Sequence, residues 1–328
     1  MQNRDTTSSG VQESSSKPTR ERVGLVVNGA NASTAVSTIV AAEASGIRQV
    51  WMIQTPSVPD TLTIFAAVAM QTTSMRLGTA IVPTYPRHPL VMVQQALALG
   101  DLAHERLRLG IGPSHRPTIE GIYGIPMKAP LEHLREYVTV LRSALWEGKI
   151  DHQGRFFTIK ATLPRTPRTP ILISALRIGA FQLAGEISDG AISWMCPVPY
   201  LLEKALPALR TGAARSLRPV PPLLAHIPVA LGLDRDAVLA ASRKQISRYA
   251  RLPFYANMFA DAGFPVGPDG KMSDELIDSL VVSGDEAAIA SRLTELLAAG
   301  LDELLIMPVL VMDPASELEQ LMGLIGRL

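Results

Sequence analysis

Short apolar blocks alternate with longer stretches of helical character along most of the chain. Residues 23–27, 50–53, 76–82 and 107–111 are apolar runs of strand length, and between them 33–45, 61–73 and 89–103 have helical composition or spacing. Gly46 ends the first of these helices, and Pro89 suits the first turn of the third. A further helix is expected over 130–146, closed by Gly148, and then an irregular insert with a hairpin around Gly154. The alternation resumes with strands at 171–174, 191–194, 223–231 and 303–307. Helices are expected at 178–188, 201–214, 285–299 and 314–324, and Asp234 is placed to cap the helix after the seventh strand. Residues 251–275, with their Pro, Gly and aromatics, read as a long functional loop or lid.

Eight strands, each followed by a helix, predict an α/β fold: a parallel (β/α)8 TIM barrel with insertions after strands 4 and 7. An open doubly wound sheet is the structural alternative, but no GxGxxG follows the first strand. Residues 1–21 are polar, lack the apolar core of a signal peptide and read as a disordered tail, which leaves 22–328 as a single domain.

Composition narrows the function classes. With 328 residues, 47% of them hydrophobic, the chain can bury one barrel-sized core. A net charge of +1 gives no global reason to expect nucleic acid, and no run of about 18 apolar residues predicts a membrane span. The single cysteine, Cys196, excludes an internal disulfide and suits a reducing compartment such as the cytoplasm. Six dispersed histidines show no HExxH-type spacing, so no metal site is expected.

In such a barrel, chemistry sits at the carboxyl ends of the strands. Here those ends are Asn28; Gln54-Thr55; 80–85; Gly112-Pro113-Ser114-His115; 174–179; Trp194; His226; and Met307-Pro308. Carboxylates are few, no Ser-His-Asp set has recognisable spacing, and no lysine is placed for a Schiff base. Acyl transfer, paired-acid glycoside cleavage and Schiff-base chemistry therefore lose ground. What remains is small, hydroxylic and apolar, which suits a flat cofactor that carries the hard chemistry itself. Gly112 would let backbone approach a ring or phosphate, and Ser114 and His115 can supply donors. Free N–H groups at the helix start after Ser174 and Ala175 would bind a phosphate. Tyr85 and Trp194 are candidate pocket walls, Tyr255 and Phe254 lie on the expected lid, and Asp189 reads as a structural cap.

Two long blocks, RLGTAIVPTYPRHPLVMVQQALALGDLAHERLRLGIGPSH and PILISALRIGAFQLAGEISDGAISW, resemble the bacterial luciferase-like family of flavin- and F420-dependent barrels. WEGKIDHQGRFF is similar to that family's insert and GDEAAIASRLTELLAAGLDELLIMP to its last third. The run AGEISDG, 184–190, is most similar to the F420-dependent methylene-tetrahydromethanopterin reductases. The resemblance implies a homodimeric oxidoreductase that uses coenzyme F420 to transfer a hydride to or from a small-molecule substrate. It implies a non-prolyl cis peptide between Ala80 and Ile81, in a bulge running into Val82 and Pro83, that supports the middle of the deazaflavin ring. It places the cofactor's phosphate end near Ser174, Ala175, Leu176, Arg177, Gly179 and Ala180, with Arg177 reaching the phosphate or the acidic glutamyl tail and Arg87 and Arg116 as weaker candidates. A related F420-dependent glucose-6-phosphate dehydrogenase has an acid at the position of His115, which makes His115 a candidate proton donor or substrate contact.

Two departures from the family pattern matter. Gln54-Thr55 stands where sugar-phosphate members carry Asp-His, so the histidine's acid role has no heir, although Gln54 or Thr55 could still hydrogen-bond the deazaflavin. Leu176-Arg177 replaces Gly-Gly or Gly-Gln. Two other readings stay open: an FMN-dependent monooxygenase using reduced flavin and oxygen, and a non-catalytic barrel that binds F420 or flavin without turnover.

Overall fold

The computed structural model describes residues 17–328. Of the tail expected over 1–21, residues 1–16 lie outside the described residues, and Thr19–Arg22 form a helical turn. Eight strands then run in order: β1 (Val23–Val27), β2 (Gln49–Met52), β3 (Arg76–Thr79), β4 (Leu107–Gly112), β5 (Ile171–Ser174), β6 (Ala191–Ser193), β7 (Leu223–Leu231) and β8 (Glu303–Pro308). All neighbours pair in parallel, and β8 returns to β1 in the register Val23↔Leu304 and Leu25↔Ile306, closing the barrel. β1 and β2 are buried along their whole length. Helices cover the outer face and side chains fill the inner one, which is why these strands read as apolar runs rather than alternating ones.

The amino end of the barrel is plugged by one charged pair. Arg108 of β4 forks onto Glu303 of β8, with nitrogen–oxygen distances of 2.6 and 2.9 Å. The Arg108 guanidinium also lies 5.0 Å from the Trp51 ring centroid and bonds Gln49 Oε1. Trp51 needs the room its glycine neighbours leave: a Cβ on Gly78 would fall 2.3 Å from the indole, and one on Gly24 2.8 Å from its Nε1. Asp189 is structural, as expected. Its carboxylate accepts the Ile171 N–H at the start of β5 and pairs with Arg142.

The third strand is interrupted after Thr79 as the resemblance implied: the Ala80–Ile81 peptide is cis, and Val82–Pro83 then rejoins β4 opposite Ile111 and Gly112. Several other elements differ from expectation. The helix expected over 130–146 is α-helical over Pro130–Arg142 and turns into a π-helix at Ser143–Glu147 before Gly148 closes it at φ +74°. The segment 251–275 is not a bare loop, because Pro253–Asp261 is a helix. Pro253 occupies its first turn, and Tyr255, Met258 and Phe259 form its buried stripe, a spacing masked by flanking Pro and Gly. A short helix, Asp274–Leu280, and an edge strand, Val282–Gly284, precede the helix Glu286–Ala298. No helix among the described residues is long and apolar enough to cross a membrane.

Candidate functional site

A cavity of ≈ 900 Å³ opens at the carboxyl ends of the strands, large enough for a ring cofactor and a second small molecule. Its floor comes from four successive strand ends. Ile53, Gln54 and Thr55 follow β2, Ala80 and Ile81 follow β3, Pro113 to His115 follow β4, and Ser174 closes β5. Gln54 is fixed by its own helix: its Oε1 accepts the Thr61 N–H at 2.7 Å, while its Nε2 donates to the Thr55 carbonyl. The backbone of Gln54 donates to the Ile81 carbonyl at 3.3 Å, so β2 and the cis segment hold each other. Ser114 takes φ +62°, a left-handed conformation that non-glycine residues seldom adopt. Such positions cluster at functional sites.

The opposite wall is aromatic. Trp194, just past β6, donates its indole N–H to the Tyr249 hydroxyl at 2.9 Å. Tyr249 meets Tyr255 edge to face, with ring centroids 4.8 Å apart. Tyr255 and Phe254 then flank His115, at centroid distances of 5.2 and 6.1 Å. His115 has a buried Nδ1 without a hydrogen-bond partner among the described residues. Burial lowers its pKa from 6.5 to about 4, so the ring is unprotonated at neutral pH. A neutral ring at rest can accept a proton rather than give one, and as a lining residue His115 can also touch a ligand in the cavity, the other role the sequence suggested.

Ionised groups stand at the mouth. Arg177 bonds Asp261 through its Nε at 2.9 Å, tying the start of the helix Ile178–Ile187 to the end of the helix Pro253–Asp261. Lys204 donates to the Asp261 carbonyl. Arg248 lies 4.9 Å from the Tyr249 ring centroid and donates to that hydroxyl. Three cations thus share the rim with one carboxylate.

Most expected site residues line this cavity: Gln54, Thr55, Ala80, Ile81, Pro113, Ser114 and His115 on one side, and Ser174, Leu176, Arg177, Gly179, Ala180, Trp194 and Tyr255 on the other. Others fall outside it. Asn28 is exposed, and its side chain accepts the Ala30 N–H in a local turn. Val82 and Pro83 are buried against β4, and Ala175 is buried with its N–H bonded to the Ile192 carbonyl. Gly112 serves packing rather than ligand approach, since a Cβ there would sit 2.1 Å from Ser174 Oγ. Tyr85 is no pocket wall: it stacks on His133 at 4.0 Å, and its hydroxyl donates to the Lys128 carbonyl at 2.6 Å. Arg87 is engaged by Asp60 and Gln95, and Arg116 by Glu120, all away from the cavity. Sequence reasoning missed Lys204, Arg248, Tyr249 and Asp261, which no motif marks; only the helical stripe around Tyr255 could have pointed to the wall.

Residues 12–303 match the family described as luciferase-like monooxygenases. An uncharacterised protein of Mycobacterium tuberculosis is 30% identical, over 79% of this chain and 85% of its own length. The 5,10-methylenetetrahydromethanopterin reductase of Methanolobus tindarius is 24% identical, over 80% of this chain and 86% of its own. Among solved structures, an F420-dependent secondary alcohol dehydrogenase in complex with an F420–acetone adduct superposes with a TM-score of 0.79 at 17% identity. It covers 92% of this chain and 97% of the other, a likeness of fold.

Proposed function

Because the chain belongs to the luciferase-like monooxygenase family, whose members are oxidoreductases or monooxygenases, we propose that it is an F420-dependent oxidoreductase. It would transfer a hydride between the deazaflavin and a small organic substrate. The mouth carries the choice of cofactor: Arg177, Lys204 and Arg248 against the single Asp261 suit a ligand with a long polyanionic tail, such as the phosphate and glutamyl tail of F420. The residues fit such a group in two further respects. The cavity has room for it, and the buried Nδ1 of His115 has no partner among the described residues to compete for it.

F420, when bound, supplies the carbon that accepts or returns the hydride. The chain's own part is positioning and the proton. The segment at Ala80 and Ile81 floors the site, and the exposed turn at Ile178 and Gly179 offers N–H groups to a phosphate. His115, unprotonated, accepts the O–H proton of a carbinol as its C–H is lost, and returns it in the opposite direction. Exclusion of water by Trp194, Phe254 and Tyr255 protects both transfers.

Titration of the purified protein with F420 and with FMN, read by quenching of tryptophan fluorescence, tests the assignment. Micromolar F420 binding with weaker FMN binding is expected, and both signals shrink in Trp194→Phe. Preference for FMN would move the protein to the monooxygenase reading, with oxygen consumption as its assay.

A further inference from the structure

We propose that the second ligand of this cavity is an uncharged, largely apolar carbinol or carbonyl compound, seated against Trp194, Phe254 and Tyr255 and admitted over Leu131 and Ile178. The inference rests on the two-ligand reading above and names its substrate class.

Charge and burial separate cleanly along the lining. The lining residues that are themselves buried, Ala80, Leu134, Ile192, Trp194, Tyr249 and Tyr255, carry no ionised group. Arg177, Lys204 and Arg248 are exposed, and Asp261 is half-exposed. Behind the rim, then, a sugar phosphate or a polyacid would lose its hydration without meeting a cation, which is costly. An apolar ring loses nothing by leaving water there and gains contact with flat aromatic faces. His115 is the one titratable imidazole on the lining, and burial keeps it neutral. It therefore pairs with a hydroxyl or a carbonyl-derived hydroxyl rather than with an anion.

The mouth supports the same class. Leu131 and Ile178 are 41% and 46% exposed, and both border this opening. An apolar lip beside a charged rim divides the entrance: the anionic end of a cofactor lies on the cations, and an apolar molecule passes over the lip.

Isothermal titration of the F420-loaded and cofactor-free protein with acetophenone and with glucose 6-phosphate tests this. Acetophenone is expected to bind at least tenfold more tightly than glucose 6-phosphate, and Phe254→Asp, checked for folding by circular dichroism, to weaken it at least fivefold. Equal or tighter binding of the sugar phosphate would overturn the proposal, and so would failure of acetophenone to bind either form. A separate F420 titration keeps the two readings apart. Acetophenone binding without F420 binding leaves the apolar subsite standing and removes the cofactor assignment, whereas F420 binding without acetophenone binding does the reverse.

Discussion

His226 and Trp194 stack inside the barrel, with ring centroids 3.6 Å apart and planes 27° from parallel. Met195 donates its N–H to His226 Nδ1 at 3.4 Å, which places the ring proton on Nε2, a buried atom with no partner among the described residues. The histidine thus fixes the face of the tryptophan whose other edge lines the cavity, and it does so as a neutral ring.

Acid sensitivity follows from that neutrality. Burial pushes His226 down to about 3, and His115 and His133 to about 4, from the ordinary 6.5. Below 6.5 the unfolded chain binds protons that the folded chain does not. Stability is therefore full above that pH and falls as pH drops from about 6.5 towards 4, by about 1.4 kcal/mol per pH unit for each histidine. His226→Phe keeps a ring on Trp194 and removes one of these groups. Urea unfolding at pH 7, 6 and 5 is expected to show a shallower decline in the variant, and an unchanged slope would contradict the account.

Catalysis has its own pH signature. In the proposed reaction His115 acts unprotonated, so carbinol oxidation is expected to stay level from pH 8 to about 5 and to fall towards pH 4, where the ring takes a proton. His115→Asn should cost about 10²-fold or more in turnover and abolish that acidic limb. Steady-state rates across pH with reconstituted protein decide the point. A limb centred near 6.5 would show that the ring is solvated when substrate is bound.

At the opposite end of the barrel, Arg108→Ala removes the forked partner of Glu303, a carboxylate with a 14% exposed side chain that keeps Gln49 and the charge of Arg76 nearby, and should cost up to about 3–5 kcal/mol. Replacing both partners together, Arg108→Met with Glu303→Leu, should recover most of it, because the pair's own attraction is largely offset by desolvation. Chemical denaturation of the single and double variants measures both values.

Ser114 offers a trade between stability and binding. Its φ of +62° is costly for any residue with a Cβ, so Ser114→Gly should relieve about 1 kcal/mol of strain. The hydroxyl it removes lines the cavity floor. A raised melting temperature together with weaker F420 binding is the expected pair of results, and equal or tighter binding would take Ser114 out of the cofactor site.

The barrel was legible because its strands are apolar on both faces and its helices are punctuated by Gly46, Pro89 and Gly148, signals carried by short stretches of chain. The floor of the site was legible for a related reason: residues at strand ends have their positions set by the barrel itself, so Gln54, Ile81, Ser114 and Ser174 reach the cavity once the fold is known. Tyr85 and Gly112 misled because their roles depend on partners distant in sequence, His133 and Ser174, that no local pattern announces. The rim was illegible for the same reason. Lys204, Arg248 and Asp261 meet only through helices packed after the chain has folded.

Most of the aromatic wall is written in one uninterrupted piece of chain: Tyr249, Phe254 and Tyr255 all lie between Ser247 and Asp261, while the floor is assembled from strand ends far apart in sequence. That stretch also carries Arg248 and Asp261 of the rim and packs Phe254 and Tyr255 on His115. Exchanging it would change the wall and the charge of the mouth in one step, while the floor of strand ends, set by the barrel, stays as it is.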